Sequence, residues 1–431
     1  MSVTAKIQEK FNRALDECAG ECTDKYTGKY TGGQRGPFGV AVSGGSDSLA
    51  LLILTQAWAQ ERREDLHVVT VDHQLRPESR AEALGVADFC AKRGLPHQIL
   101  TWGGWDGQGN KAEAARDARY GLMQEWAKSQ GITGLLLGHT QDDQAETFLM
   151  ALARKSGVDG LSAMANRRPY RGIVLMRPLL SFARDGLREM LVACAVPWVD
   201  DPSNDDARAE RIKMRHLLTQ MAAAGVDRPA MVQVVQNLQS AQTALAHFAH
   251  DTARDLIHFV GGEIHVDLAK FLALPDETRF RLLAHVLTWL ASAQNRPRQK
   301  SLKTALITVK SGQIVTLHGC VIYPCKDTLI VAREAAAIAP EKARENQIYD
   351  RHWRIIGPIK QGYRLAPLGN LGLAHCPQWR SSGMSRFGAM ASPALWENHQ
   401  LIAAPMLGLR NGWQITALKD AEVFFSGLLG H

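Results

Sequence analysis

The sequence predicts an α/β fold: a parallel sheet domain with helices on both faces, then a helical middle domain and a small β-rich C-terminal domain. Three observations carry this. Short apolar runs alternate with helical stretches for more than about 100 residues from Phe38, the texture turns helical and rich in Ala, Gln, Leu and His after about Thr219, and Gly, Pro and Trp punctuate short apolar runs from Tyr349 to His431. At 431 residues the chain also exceeds the roughly 250 to 300 residues that one core accommodates. The expected domains are 1–219, 220–335 and 336–431.

The apolar run Phe38 to Val42, a Gly/Ser turn and then Leu49, Leu51, Leu52, Leu54, Ala57 and Trp58 read as strand, loop and helix. Leu66 to Val71 follows as a buried strand, Ser79 to Arg93 as a helix and His97 to Thr101 as a strand. Ala112 to Gln130 is a helix, Gly134 to Leu137 a strand and Gln141 to Arg154 a helix. Such alternation builds a parallel sheet whose ligands bind at the carboxyl ends of its strands. Met221 to Leu290 reads as helical, broken near Gly261-Gly262 by a strand-like Glu263 to Val266. Val315 to Val331 reads as a strand pair turning at Pro324 to Asp327, and the polar, Ala-rich Arg333 to Asn346 as a linker.

Composition excludes several classes. Hydrophobic residues at 45% and charged residues at 22% belong to a globular chain, and no apolar run approaches the ~18 residues of a membrane span. Met1 to Phe11 lacks the apolar stretch of a signal peptide, so a cytoplasmic protein is expected. Seven scattered cysteines form no C-x-x-C pair, which fits a reducing compartment and offers no structural zinc site. A net charge of +7 suits a polyanionic partner.

The most informative stretch is Ser43-Gly44-Gly45-Ser46-Asp47-Ser48, between the first strand and the first helix of that alternation. Two glycines let the backbone turn tightly and expose N–H groups, the helix N-terminus adds partial positive charge, and the serines add hydroxyls. This is a phosphate cradle without the lysine of a Walker A loop. Read alone, it also fits a plain turn with Asp47 as a helix cap.

After a parallel strand, S-G-G-x-D-S resembles the PP-loop of the ATP pyrophosphatases, which implies a Rossmann-like PP-loop sheet and adenylation chemistry. A substrate oxygen then attacks the α-phosphorus of ATP and pyrophosphate leaves. Further segments narrow the resemblance: Val71 to Arg76, Asn110 to Tyr120, Leu137 to Thr147, Arg177-Pro178-Leu179-Leu180 and Asp201-Pro202-Ser203-Asn204. Together they resemble the bacterial tRNA(Ile)-lysidine synthetases from about Val40 to Arg215. That family joins L-lysine to the wobble cytidine of the isoleucine tRNA with a CAU anticodon, through an adenylated cytidine, releasing pyrophosphate and AMP.

The resemblance implies ATP and Mg2+ as cofactors, with Ser43, Gly44, Gly45, Ser46, Asp47 and Ser48 on the pyrophosphate and Asp47 near the metal. His139, Asp142 or Asp143, and Glu146 fall at i, i+3 or i+4, and i+7, on one helix face that begins at a strand end. Asp143 and Glu146 suit a lysine ammonium, although the same acids could bind magnesium or merely complement a helix dipole. His139 suits the α-phosphate or the departing pyrophosphate. Arg119, with Arg116 in reserve, suits charge on the transferring phosphoryl oxygens. Asp72 and His73 lie at the same edge, Asp72 as a weak candidate for placing the nucleotide and His73 as a packing residue.

Arg211 and Arg215 match two arginines of the family's anticodon-proximal motif, but Ala209 and Ile212 replace its aromatic and asparagine. Arg296, Arg298, Lys300 and Lys303 put four cations in eight residues with no acid among them, a candidate tRNA phosphate contact or a solvated helix start. Trp379, Trp396 and Trp413 read as core. The main alternative is another PP-loop tRNA modifier such as a thiolase, which needs cysteines at the site. An amidotransferase needs an ammonia source, and a non-catalytic nucleotide binder would release no pyrophosphate. Oligomeric state stays open, a homodimer included.

Overall fold

The structure, a computed structural model, describes residues 3–20, 36–105, 107, 111–199, 209–293 and 295–430. Its contacts divide the chain into two compact units, Met1–Gln242 and Thr243–His431.

The first unit is built on a six-stranded sheet in the order β3-β2-β1-β4-β6-β5. The strands are β1 Phe38–Ala41, β2 Leu66–Asp72, β3 His97–Thr101, β4 Gly134–Leu136, β5 Arg167–Tyr170 and β6 Ile173–Met176. All neighbours are parallel except the β5–β6 hairpin, which closes one edge. Parallel strands are buried on both faces, and the cores show it. Phe38, Val40, Leu66, Val68, Leu136, Val174 and Met176 face one core with α2 Ser46–Arg62, while Val69, Leu135, Ile173 and Leu175 face another with α4 Lys111–Ser129. The α/β expectation holds strand by strand as far as β4.

A helix not foreseen in the sequence, α1 Val3–Gly20, buries Phe11, Leu15 and Cys18 in the first core, and its Asp16 accepts a hydrogen bond from the Trp58 indole at 2.9 Å. The remaining helices of the unit are α3 Ser79–Lys92, α5 Gln141–Ala153, α6 Val158–Leu161, α7 Arg184–Ala193 and α8 Ala209–Ala223. The long α9 Arg228–Leu256 begins in this unit and ends in the next.

The second unit is helical as read, with α10 Leu268–Ala273, α11 Asp276–Leu290 and α12 Gln299–Lys310, but these pack on a five-stranded antiparallel sheet in the order β7-β8-β11-β10-β9. Its strands are β7 Ile257–Val260, β8 Glu263–Asp267, β9 Val315–Leu317, β10 Cys320–Cys325 and β11 Thr328–Arg333. The expected strand pair over Val315 to Val331 is thus three strands. His318 at φ 57° and Gly319 at φ 70° make a turn that alternation alone concealed.

The expected linker from Arg333 to Asn346 is also corrected. It carries a short 3-10 turn and β12 Glu341–Lys342, and it buries Ile338 and Ala343 in the last core, so its apolar side chains fix it in place. Two further sheets follow: β12 with β15 Tyr363–Pro367, β16 Pro393–Glu397 and β17 Gln400–Ala403, and β13 Gln347–Tyr349 with β14 Trp353–Ile356 and β18 Gln414–Ala417. Short helices α13 Gly369–Ala374 and α14 Arg386–Ala391 and the terminal α15 Ala421–Leu429 complete the chain. Trp396 and Trp413 are buried and Trp379 is partly buried against a core, as expected of packing residues. Among the described residues no helix is long and apolar enough to cross a membrane.

Candidate active site

Four parallel strands deliver side chains to one edge of the sheet. The phosphate loop leaves β1, Asp72 and His73 leave β2, His139 leaves β4 and Arg177 leaves β6. The ends of β4 and β6 are tied by the Leu137 N–H donating to the Met176 carbonyl at 2.9 Å.

Gly44 adopts φ +88°, where an L side chain would be strained, and Gly45 is extended as the residue before α2. The Ser43 N–H donates to Ser48 Oγ at 3.1 Å, and that hydroxyl donates to the Gly45 carbonyl at 2.9 Å. The loop is thereby folded by its own serines, leaving the first-turn amides of α2 to face a ligand. Arg188, from α7, donates from Nε to Ser46 Oγ at 3.3 Å. Gly138 seats the end of β4 against the loop: a Cβ there would lie 3.1 Å from Ser48 Cα and 3.2 Å from the Asp47 carbonyl carbon and oxygen.

Asp47 is no helix cap. Its Oδ2 accepts from Arg184 Nε at 2.8 Å, and Arg184 Nη2 lies 3.5 Å from Asp143 Oδ2 while its backbone N–H donates to Asp142 Oδ2 at 3.0 Å. One residue thus gathers three carboxylates. Asp142 also pairs with Arg228 at 3.0 Å. Burial pushes the Asp47 carboxyl up from its ordinary range, Asp143 and Asp142 adding to the effect and Arg184 opposing it. Burial also works against an ionised Asp143, but Arg184 and the Thr140 N–H, which donates to Asp143 Oδ2 at 2.8 Å, outweigh it and hold that carboxyl low.

His139 precedes α5, so the shared helix face begins after it, with Thr140 at the cap. Its Nδ1 is buried and makes no hydrogen bond, and burial, with Arg177, Arg119 and Arg116, pushes the imidazole well below its ordinary range against the pull of Asp143. It is neutral at pH 7. Arg119 and Arg116 both approach the Tyr120 ring, their guanidinium carbons 5.3 and 5.4 Å from its centroid. Burial would raise the Tyr120 hydroxyl, yet Arg119, Arg116 and Arg177 outweigh it and lower its pKa. At the end of β2, Asp72 accepts from the Gln74 N–H and the Ser79 hydroxyl, and His73 packs edge-on to Trp102.

Glu146 stands one turn beyond Asp143, its side chain 1% exposed. Its Oε1 accepts from Arg215 Nε at 2.7 Å and Arg211 Nε lies 3.9 Å from Oε2. Both arginines matched to the anticodon-proximal motif therefore face an acid matched to lysine. The Asp201 to Asn204 segment and Asn110 lie outside the described residues. In the second unit Arg298 precedes α12, and Arg296, Arg298, Lys300 and Lys303 are exposed around its start.

Three arginines of the site do not stand out as site residues in the sequence. Arg177 enters there only as part of a motif, although the apolar run Ile173 to Met176 before it marks a strand end. Arg184 and Arg188 carry no local signal, since Arg184 meets Asp47 across 137 residues. The cysteine chemistry of a thiolase finds no support at Cys90, which is buried within α3 with its thiol pushed up to about 11 by burial.

The PP-loop domain family matches residues 7–222. A tRNA(Ile)-lysidine synthase of Ruegeria pomeroyi is 41% identical over 393 residues, covering 91% of this chain and 94% of that protein. Proteins of the same name from Wolbachia pipientis and Rhodopseudomonas palustris are 35% and 37% identical, covering 69% and 65% of this chain and 71% and 87% of their own lengths. Among solved structures, a U34-tRNA thiolase from Methanococcus maripaludis aligns at a TM-score of 0.45 and 14% identity over 53% of this chain and 78% of that one, too loosely to carry an argument.

Proposed function

The chain belongs to the tRNA(Ile)-lysidine synthase family of PP-loop enzymes, and we propose how its sheet edge carries out their ATP-dependent joining of lysine to tRNA. The substrate is the wobble cytidine of an isoleucine tRNA with a CAU anticodon, in the cytoplasm. The cytidine O2 attacks the α-phosphorus and the bond to pyrophosphate breaks. The lysine ε-amine then attacks C2, the C–O bond breaks and AMP leaves.

Ser43 to Ser48 hold the departing pyrophosphate, and Arg188 steadies Ser46. Magnesium is usually held by one or two carboxylates together with substrate phosphates, and Asp47 beside the loop fits that donor set. Bound there and held by Asp47, a carboxylate that burial makes reluctant to ionise, the ion would neutralise charge developing on the leaving pyrophosphate. His139 donates to the α-phosphate as a neutral imidazole, and Arg119, with Arg116 nearby, stabilises its oxygens.

Asp143 and Glu146 take the lysine ammonium. Before lysine arrives, Arg184 and Arg215 neutralise these two buried acids, whose burial without a cation would cost several kcal/mol each. Lysine binding is then an exchange of cations, and it frees Arg211 and Arg215 for tRNA phosphates. Residues 220–335 and 336–431 grip the tRNA, the first through Arg296, Arg298, Lys300 and Lys303.

One observation supports this reading above the rest: Gly138 puts the phosphate loop against the segment that carries His139 and Asp143, so pyrophosphate and lysine sites adjoin. Incorporation of radiolabelled lysine into a minor isoleucine tRNA transcript tests it, with methionine tRNA as control. ATP-dependent label in the first alone is expected. Label in neither would sink the assignment.

A further inference from the structure

We propose that Arg177 is a positioning residue for the α-phosphate, forming with Arg119 and His139 a buried anion pocket between the phosphate loop and Asp143. The inference rests on the adenylation reading and adds a residue to it.

Arg177 leaves the end of β6 and is only 5% exposed. Its Nη1 donates to the Ala165 carbonyl at 2.9 Å, but its Nε is buried without a hydrogen bond. Arg119 Nε and His139 Nδ1 are buried and unpartnered in the same way. The Tyr120 hydroxyl stands beside Arg177 as a hydrogen-bonding partner, and Arg168 and Arg116 bring two further cations close to it. Ala165 and Tyr120 leave Nε without an acceptor, and burying a guanidinium beside further cations is unfavourable. Buried guanidinium N–H groups without acceptors, among several cations, suit an anion.

Position identifies the anion. His139 is one residue from Gly138, which touches the Asp47 and Ser48 backbone, so the pocket adjoins the loop proposed to hold pyrophosphate. His139 also lies close enough to Asp143, proposed to hold lysine, for the carboxylate to pull on its proton affinity. Loop, pocket and carboxylate therefore succeed one another as pyrophosphate, α-phosphorus and attacking amine must. A guanidinium there serves both steps, holding the phosphoryl group during adenylation and the AMP that leaves.

Calorimetric binding of AMP, inorganic pyrophosphate and tRNA transcript to the full chain tests the inference, comparing wild type with Arg177→Gln and Arg177→Lys. A charge-assisted hydrogen bond of about 1.5 to 3 kcal/mol converts to a roughly 10- to 150-fold loss of AMP affinity. Pyrophosphate and tRNA affinities should hold within about threefold. Equal losses for AMP and pyrophosphate, or a loss for tRNA alone, would place Arg177 on another phosphate and overturn the proposal. So would unchanged AMP affinity in either folded variant. If both variants fail to fold, the wild type decides: the Arg177 Nε–H resonance should shift with AMP and not with adenosine, and no shift rejects the role. These readings need neither lysine nor turnover, so they stand apart from the lysine-incorporation test.

Discussion

At the lysine site proposed here each buried acid already has a cation beside it in the free protein, Arg184 at Asp143 and Arg215 at Glu146. Removing either acid should therefore weaken lysine far more than ATP. Asp143→Asn or Glu146→Gln is expected to raise the lysine KM roughly 10- to 150-fold, from about 1.5 to 3 kcal/mol per charge-assisted bond. Steady-state kinetics on both substrates check this, and a selective rise in the ATP or magnesium requirement would move the acids to the metal. That Asp143 and Glu146 stand one turn apart on one helix was legible because i, i+3 spacing is local, as were the loop glycines. Arg184 was not, because nothing near it in sequence announces a partner on another strand's loop. The histidines give a pH prediction. Burial pushes His73, His285 and His352 down to about 4, and burial with three arginines pushes His139 down as well. Below about pH 6.5 the unfolded chain takes up protons that the native state refuses, so stability falls as pH drops towards about 4 and levels off beneath. Urea denaturation from pH 7.5 to 5 should show it. His139→Gln should flatten the slope by up to about 1.4 kcal/mol per pH unit, and an unchanged slope would mean His139 protonates freely when folded.

How strands meet helices decides whether those residues act together. The exit of β4 touches the first turn of α2 through Gly138, so the position of Asp47 depends on the absence of a side chain on a different strand. Gly138→Ala would demand a shift of a few tenths of an ångström from backbone that cannot swing away. It should lower the rate of tRNA-dependent pyrophosphate release at least about tenfold, given how steeply rates depend on sub-ångström placement. Thermal melting should change little, since the contact is at the sheet edge. If release were unimpaired, the contact would be loose and Asp47 independently placed. The same contrast between local and distant information explains what the sequence disclosed of the fold. Strands β1 to β4 each announce themselves by an apolar run followed by a helix. The β5–β6 hairpin does not, because Arg171-Gly172 turns it within arginine-rich surroundings, and α1 conceals a buried stripe of Phe11, Leu15 and Cys18 among charged neighbours. The presumed linker fails as a linker because only tertiary contact reveals that Ile338 and Ala343 have a core to enter.

The proposed chemistry and the proposed grip on tRNA fall in different parts of the chain. Every side chain gathered at the sheet edge lies within Met1–Gln242, whereas the Arg296 to Lys303 cluster belongs to the other compact unit, exposed around the start of α12 with no acidic residue in that helix's first turn. The residues proposed for adenylation all lie in the first unit, but an enzyme acting on one cytidine must reject tRNAs with similar anticodons, and that discrimination requires a hold elsewhere on the substrate. A helix N-terminus carrying four cations suits backbone phosphate on physical grounds, since the amides and the side chains attract the same oxygens. Replacing Arg296, Arg298, Lys300 and Lys303 together with Gln should weaken tRNA binding and reduce its salt slope by about 0.7 to 0.9 for each phosphate that the variant no longer neutralises. Filter binding across a salt series measures both quantities. ATP affinity should be untouched, because the residues proposed to bind the nucleotide lie in the other unit. Should the salt slope survive the fourfold change, the cluster is a solvated surface, and the hold on tRNA must come from residues 336–431 or from Arg211 and Arg215.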